Sequence, residues 1–513
     1  MSDPVAAGPP GTRPVAGERS PELRQLRPDL PFRRIALVLS GGGALGAYEV
    51  GVLRVVEAVR LIPTIVAGVS VGAINAVVWR AHGGRTAVLE EVWRRMTATD
   101  VGFRWVTLVL RALGALVATL GLVELFLTLI GSRELSGSYW LWKHGSARID
   151  RASTVLDLWM WGLFAVVGIL AMALSRPVES WLAHQRPVAD LGRASRRFGR
   201  IVLGLWTAYA AVWILGVPWP HRFTVSALLA VALVWLANRP GRSGGWARRM
   251  THLLTPETRG RGLWGVAGRQ RMLERLLSSG DTTRLVDPEV RLVISALAID
   301  TGRIAHFVTG PPPEAAFVER LHSGLGEVVR VREPAEVLQA VLASSAIPGV
   351  FEPVRIRGRD FVDAGGFANQ PLHVALAADA DAALVVLMSP SGPPSPGVPP
   401  ASLFALGSRL LEVANWRDMQ AELRSLPEGW SREGDPARIC VVEPDTSLPG
   451  GVLGFDPSNA AALIERGEED AWEALERAGW LAPGGAATGG EGTRACESRG
   501  VPLTSDREPP ERQ

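Results

Sequence analysis

Cysteine is nearly absent from this chain of 513 residues: Cys440 and Cys496 are the only two. That excludes a disulfide scaffold and any multi-cysteine zinc module, and both read as free thiols in a reducing compartment. Lysine is scarcer still, with Lys143 alone among arginines, an asymmetry that a coding bias explains. Neither sign of charge dominates, since 54 basic and 51 acidic residues leave a net +3. This is too even for a dedicated nucleic-acid binder. There is no fixed-period repeat, and residues 1–31 hold no apolar run of the length a signal peptide needs. Rich in Pro, Gly and Arg, they read as a disordered tail, as do residues 482–513. Apolar side chains are plentiful: 47% of residues are hydrophobic and 20% charged, enough to build a full core. Of 18 tryptophans, twelve fall between Trp105 and Trp264, so the mean hydropathy of +0.16 averages two unlike regions.

Order begins near Arg34. Ile35 to Leu39 is a continuous apolar run ended by Ser40 and three glycines, the pattern of a fully buried strand. A helical pattern follows over 47–60, then a second buried strand at 64–67, Gly68, and a helix over 71–82 stopped by Gly83 and Gly84. Strand, glycine turn and helix, repeated, are the grammar of a parallel α/β sheet. The pattern breaks at about residue 104 and resumes near 256. Further strands are expected at 290–297, 383–388 and 439–442, an extended pair around 354–356 and 360–362, and helices over 334–344, from 371, and over 459–478.

Between the two halves lie four apolar stretches, at 105–130, 158–174, 201–217 and 223–237. A bilayer crossing needs about 20 apolar residues, with a range near 17 to 25. Their clustering, and the tryptophans at their ends (Trp105, Trp159, Trp219, Trp235), favour membrane helices over a soluble bundle. Because both halves of the sheet must share one side, the number of crossings is even. With four, seventeen basic residues fall on the near side and five on the far side. The positive-inside rule then puts the catalytic domain in the cytoplasm, on a multi-pass protein of the inner or cytoplasmic membrane.

The strongest local signal is Gly68-Val69-Ser70-Val71-Gly72, a G-x-S-x-G between a buried strand and a helix. Such a serine projects its Oγ from a sharp turn, and the flanking glycines let neighbouring backbone approach. Chance alone would place this pentapeptide about 0.3 times in such a chain, so its context matters. Upstream, Gly41-Gly42-Gly43-Ala44-Leu45-Gly46 fills the first strand-to-helix turn and exposes backbone N–H groups. A nucleotide's phosphates or the oxyanion of acyl transfer could use them. No Gly-Lys-Ser/Thr follows, so it is not a P-loop. Gly41, Gly43 and Gly46 do satisfy G-x-G-x-x-G, but the next strand ends at Gly68-Val69-Ser70 rather than at a ribose-binding carboxylate. An oxyanion hole fits better. For a base, no histidine sits in a glycine-flanked loop after a strand: His82 ends a helix, His373 lies within one, His306 is in a strand-like run, and His144 and His221 belong to the insertion. A carboxylate can serve instead. Asp363, entering a glycine turn after a strand, is the best candidate, although a turn-capping aspartate has the same appearance.

These motifs, in this order, resemble the patatin-like phospholipase family: a glycine-rich turn at Gly41 to Gly46, the elbow at Gly68 to Gly72, and an Asp-Gly turn at Asp363 to Gly365. Ala343-Ser344-Ser345-Ala346-Ile347-Pro348 and Asn369 with Pro371 match as well. The resemblance covers residues 34 to about 100 and about 256 to 390, and more loosely to 480. It implies a mostly parallel α/β sheet flanked by helices, and a dyad of Ser70 as nucleophile with Asp363 as base. It further implies an oxyanion hole in the turn Gly41, Gly42, Gly43 and Ala44, made chiefly by the backbone of Gly42 and Gly43, and hydrolysis of membrane-lipid acyl esters without metal or cofactor. Gly46, Gly68, Gly72 and Gly365 support the motifs. Two positions depart from the pattern: Leu45 replaces a basic residue, and Ala364 replaces a glycine, which is strained if its φ is positive.

The expected organisation is therefore a tail at 1–31, a catalytic part at 32–103, an all-α membrane-embedded insertion at 104–255, a second catalytic part at 256–481 and a tail at 482–513. The partners are the lipid substrate and the bilayer. The alternatives are a catalytically weak scaffold or lipid-binding protein of the same fold, and a nucleotide binder using Gly41 to Gly46.

Overall fold

The computed structural model describes residues 25–129, 151–185, 258, 261–324, 326–392, 403–424 and 426–482. Its strands are β1 (Ile35–Leu39), β2 (Ile65–Val69), β3 (Gly262–Trp264), β4 (Arg291–Ala298), β5 (Ile304–Val308), β6 (Gly326–Arg330), β7 (Gly349–Phe351), β8 (Val354–Ile356), β9 (Arg359–Asp363), β10 (Ala382–Val386) and β11 (Ile439–Val442). The main sheet runs β11-β10-β1-β2-β4-β5-β6, and β9 pairs with both β4 and β8. From β11 to β4 every pairing is parallel. Antiparallel pairing enters at β4–β5, β4–β9 and β8–β9. This is the mixed α/β, mostly parallel architecture that the strand–turn–helix pattern predicts.

The helices are α1 (Ala47–Ala58), α2 (Val71–Ala81), α3 (Ala87–Trp93), α4 (Trp105–Leu129), α5 (Arg151–Gln185), α6 (Ala267–Leu277), α7 (Ala315–Ser323), α8 (Pro334–Ser344), α9 (Leu372–Ala377), α10 (Leu403–Arg424) and α11 (Pro457–Arg477). Two apolar layers sandwich the sheet. Leu37 and Leu39 of β1 pack on one face with residues of α1, α2 and α8. Ala36 and Val38 pack on the other with residues of α7 and α9. All five residues of β1 are buried, which is why the strand reads as an unbroken apolar run rather than an alternating one. The closing helix α11 crosses α1 at two glycines. A Cβ on Gly51 would overlap the Ile464 carbonyl oxygen, and one on Gly467 the Tyr48 carbonyl oxygen.

The insertion begins as a hairpin of two antiparallel helices. Thr107 of α4 donates to the Ser175 carbonyl and to Glu179 of α5. Further along, Gly114 lies against Gly168 and Gly121 against Ala165, closely enough that a Cβ on any of these glycines meets facing backbone. The outer face of α5 is apolar and exposed: Leu163, Val166, Val167, Leu170 and Leu174 are each half or more in solvent. Among the described residues one helical segment, Leu158–Glu179, is long and apolar enough to cross a membrane, with a mean hydropathy of 2.0. The apolar segment Trp105–Thr119 is shorter. The expected multi-pass arrangement is therefore reduced here to one candidate span, and the stretches at 201–217 and 223–237 lie outside the described residues. The body also begins earlier than residue 32. Leu26 bridges Leu481, and the Ala482 N–H donates to the Gln25 carbonyl, so both presumed tails start on a packed contact. The rest of each tail lies outside the described residues.

Candidate active site

One strand brings the two reactive candidates together. On β4, Ser295 pairs with Val69, the last residue of β2. The next residue, Ala296, pairs with Asp363, the last residue of β9. The strand β5 occupies the opposite edge of β4 over 293–297, so β2 and β9 share one edge and approach each other end to end. Ser70 follows β2 directly, and its Oγ donates to Asp363 Oδ2 at 2.6 Å.

Ser70 sits at φ 54°, ψ −122° as the residue before α2, a conformation costly for a residue with a Cβ. Surrounding contacts hold it there. The Ser70 N–H donates to Ser344 Oγ at 2.8 Å, and Ser344 in turn donates to the Ser295 carbonyl at 2.7 Å. Gly72 must be glycine because a Cβ would lie 2.5 Å from the Leu39 carbonyl oxygen. The strained turn thus leans on the ends of β1 and α8 and on the middle of β4.

The glycine turn lies beside it at the end of β1, where an added Cβ on Gly41 would approach the Ser70 Cβ to 3.1 Å. Of its four backbone amides, two are already engaged. Gly41 donates to the Asn369 carbonyl at 3.3 Å and Ala44 to the Val452 carbonyl at 2.8 Å. The other two, the N–H groups of Gly42 and Gly43, have no backbone acceptor among the described residues. Gly43 has φ +57°, and a Cβ there would collide with Val452. Beneath the turn, Asn75 donates to the Gly46 carbonyl and to Glu49, and the Trp93 indole donates to Asn75.

Asp363 is 5% exposed. Burial raises its pKa to about 6, opposed by the Ser70 hydroxyl, the Gly365 amide (2.8 Å to Oδ1) and the charge of Arg269. It is therefore mostly ionised at neutral pH and able to accept a proton. No histidine among the described residues bonds to Ser70 or Asp363. His82 pairs with the Val78 carbonyl and Ser279, His306 with Ser295 and His373 with Glu422. His144 and His221 lie outside the described residues.

Ser70 opens into a narrow apolar pocket of about 40 Å³. Ile74, Met96, Phe103, Met272, Phe351 and Phe455 are among its walls. Phe103 lies edge-on to Trp264 at 4.9 Å and stacks at 6.4 Å on Trp105, the first residue of α4. The pocket wall and the base of the apolar hairpin are one aromatic cluster.

A family model for patatin-like phospholipases matches residues 37–376. The chain belongs to the patatin-like phospholipase family. That family's chemistry is the hydrolysis of lipid acyl esters. The patatin match takes in the glycine turn, the elbow, Asp363 and everything between them, and ends at α9. No curated protein matches the chain. Among solved structures, VipD from Legionella pneumophila is similar at 13% identity and a TM-score of 0.32, over 88% of this chain and 70% of that one. At that level the similarity carries no argument.

Against the patatin pattern, the two departures have structural answers. Ala364 is fully buried and is not among the residues of positive φ, so it replaces glycine without backbone strain. Leu45 is buried in the core beside α1 and brings no charge to the turn. Positive charge reaches the site from Arg269 on α6 instead, fully desolvated and lining the pocket. Sequence reasoning passed over it, because an arginine in a helical pattern reads as surface. The Glu49–Asn75–Trp93 network was equally hidden.

Proposed function

We propose that the chain is a membrane-held serine hydrolase of lipid acyl esters, with Ser70 as nucleophile and Asp363 as base. The 2.6 Å contact between Ser70 Oγ and Asp363 Oδ2, at the end of an apolar pocket, carries this reading. As Oγ attacks the acyl carbon it passes its proton to Oδ2, and the carbonyl oxygen takes up negative charge. The N–H groups of Gly42 and Gly43, without a backbone acceptor among the described residues, are the donors to meet that charge. Collapse of the adduct expels the lipid alcohol, which takes the proton from Asp363, and leaves the acyl group on Ser70. A water then gives a proton to Asp363 and attacks. Release of the carboxylic acid returns the proton to Ser70.

Residues 32–103 and 256–481 form the catalytic unit in this reading, and 104–255 the insertion that holds it at the cytoplasmic face. The exposed apolar face of α5 supports the bilayer as its neighbour. The continuity from Trp105 through Phe103 to the pocket suits a substrate that never enters water. Each CH₂ exposed to water would cost about 0.8 kcal/mol, so withdrawing a whole chain is prohibitive. A fluorophosphonate probe tests the core claim. It should label Ser70, and Ser70→Ala should lower hydrolysis of a short-chain ester by about a thousandfold or more. Equal hydrolysis by the variant would overturn the reading.

A further inference from the structure

Arg269 is 1% exposed, yet only one of its terminal nitrogens is used. Nη1 donates to the Leu342 carbonyl at 2.7 Å and to Ser345 Oγ at 2.9 Å, and the guanidinium lies 4.2 Å over the Phe351 ring. These contacts fix its plane. Nε and Nη2 are buried without a partner. Together they form one edge of the guanidinium, with two parallel N–H groups at the spacing that a carboxylate or phosphate accepts side-on. That edge belongs to a side chain lining the same pocket as Ser70. Desolvation lowers its pKa to about 9, so it stays charged at neutral pH. Asp363 feels its charge but makes no ion pair with it.

The placement of this arginine is built into the backbone. Gly268, next to it, lies against Gly102, where a Cβ would come within 2.5 Å of the Gly102 Cα. Gly102 holds φ +102° just before α4. The start of α6 is thereby pinned to the base of the hairpin. A charged group left unsatisfied in an apolar pocket is costly unless a ligand completes it.

We infer that Arg269 is an anion subsite of the acyl pocket, accepting an oxyanion pair on its free Nε–H and Nη2–H. This rests on the acyl-hydrolase reading above. The shared ligand chemistry is an anionic oxygen pair close to the scissile ester, and it has two sources: the phosphate of a phospholipid or the carboxylate of the released fatty acid.

The test uses the full-length protein with short-chain probes. Octanoate should inhibit wild type about tenfold more tightly than octan-1-ol, a difference of about 1.4 kcal/mol, and Arg269→Met should erase that difference. Equal inhibition of wild type by the acid and the alcohol overturns the subsite, and that arm needs no variant to fold. The source is read from dioctanoyl phosphatidate against dioctanoylglycerol. If Arg269→Met loses about tenfold in kcat/KM on the phosphatidate alone, the phosphate is the ligand. An unchanged ratio with weakened octanoate binding assigns the subsite to the product carboxylate. A uniform loss on both esters with octanoate binding intact makes Arg269 a support for Asp363 and overturns the inference. Failure of the hydrolase reading itself would appear separately, as no labelling of Ser70, while octanoate binding to Ser70→Ala protein by calorimetry would still report on Arg269.

Discussion

Asp363 shows how one environment sets both a rate and a stability. Burial lifts its pKa from 3.8 to about 6, so the folded protein holds this proton more tightly than the unfolded chain does. As the proposed base, Asp363 is competent only when ionised, and kcat/KM should fall as the pH drops through about 6. Stability runs the opposite way. The cost of ionising Asp363 in the fold is absent below the unfolded value and fully present above about 6, so acidification relieves it. Wild type should therefore gain thermal stability relative to Asp363→Asn on going from pH 7.5 to 5.5, while losing activity. A melting-temperature difference that does not change with pH would refute the shift. Glu49 is a second buried carboxyl, pushed well above its ordinary pKa by burial and held by Asn75. Burial thus favours its protonated form, and Glu49→Gln should fold and hydrolyse ester nearly as wild type does. Glu49→Ala leaves Asn75 short of a partner and opens a cavity, for a loss of roughly 2 to 3 kcal/mol by chemical denaturation. If the two variants are equally damaged, Glu49 is ionised and the network has been misread.

At the scale of elements, backbone contact decides more than side-chain size. The crossing of α1 and α11 is made by Gly51 and Gly467, each facing a carbonyl on the other helix. Neither clash can be relieved by a rotamer, because the obstructing atoms are backbone. Gly467→Ala should cost about 1 to 3 kcal/mol or more and lower the melting temperature. Gly302, where an added Cβ meets nothing within 4 Å, has the same residue type without that steric demand. Gly302 has φ +68°, so Gly302→Asn, which tolerates the left-handed region, is the matched control and should cost little. Similar losses in both would place the effect in chain entropy rather than in the crossing. Elements also separate what was readable from what was not. The buried strands β1, β2, β10 and β11 announce themselves as apolar runs, because both faces are covered. By contrast β3 and β7 have three residues each, too few to show a period, and α10 carries charge along much of its length.

For the whole molecule, the proposed membrane association rests on the exposed apolar hairpin and is the property to measure. If Leu158–Glu179 is buried in lipid, full-length protein should pellet with membranes after washing in high salt and in alkaline carbonate. Salt weakens surface electrostatics but not apolar burial. Release by salt alone would reduce the hairpin to a peripheral contact. On the proposed function the same hairpin would bear on substrate choice. Trp105 at its base touches the cluster that walls the pocket, so conservative changes at Phe103 should be felt more on bilayer lipid than on a soluble short-chain ester.

What the sequence by itself determined is the set of local statements: buried strands, glycine turns, a serine elbow, and an aspartate opening a turn 293 residues later. Each is written in consecutive residues, because strand burial, positive φ and the lack of a Cβ act over a few positions. Order and type were enough to indicate the family and the pair Ser70 and Asp363. Tertiary structure decided the rest. Only the pairing of β2 and β9 along one edge of β4 turns those two residues into a contact. Only the carbonyls of Asn369 and Val452 show that Gly41 and Ala44 are taken, while Gly42 and Gly43 have no backbone acceptor among the described residues. Arg269 was invisible for the same reason. A charge on a helix is ordinarily solvated, and its desolvation beside Asp363 depends on α6, α8 and β7 closing around it, contacts between segments that no local pattern encodes.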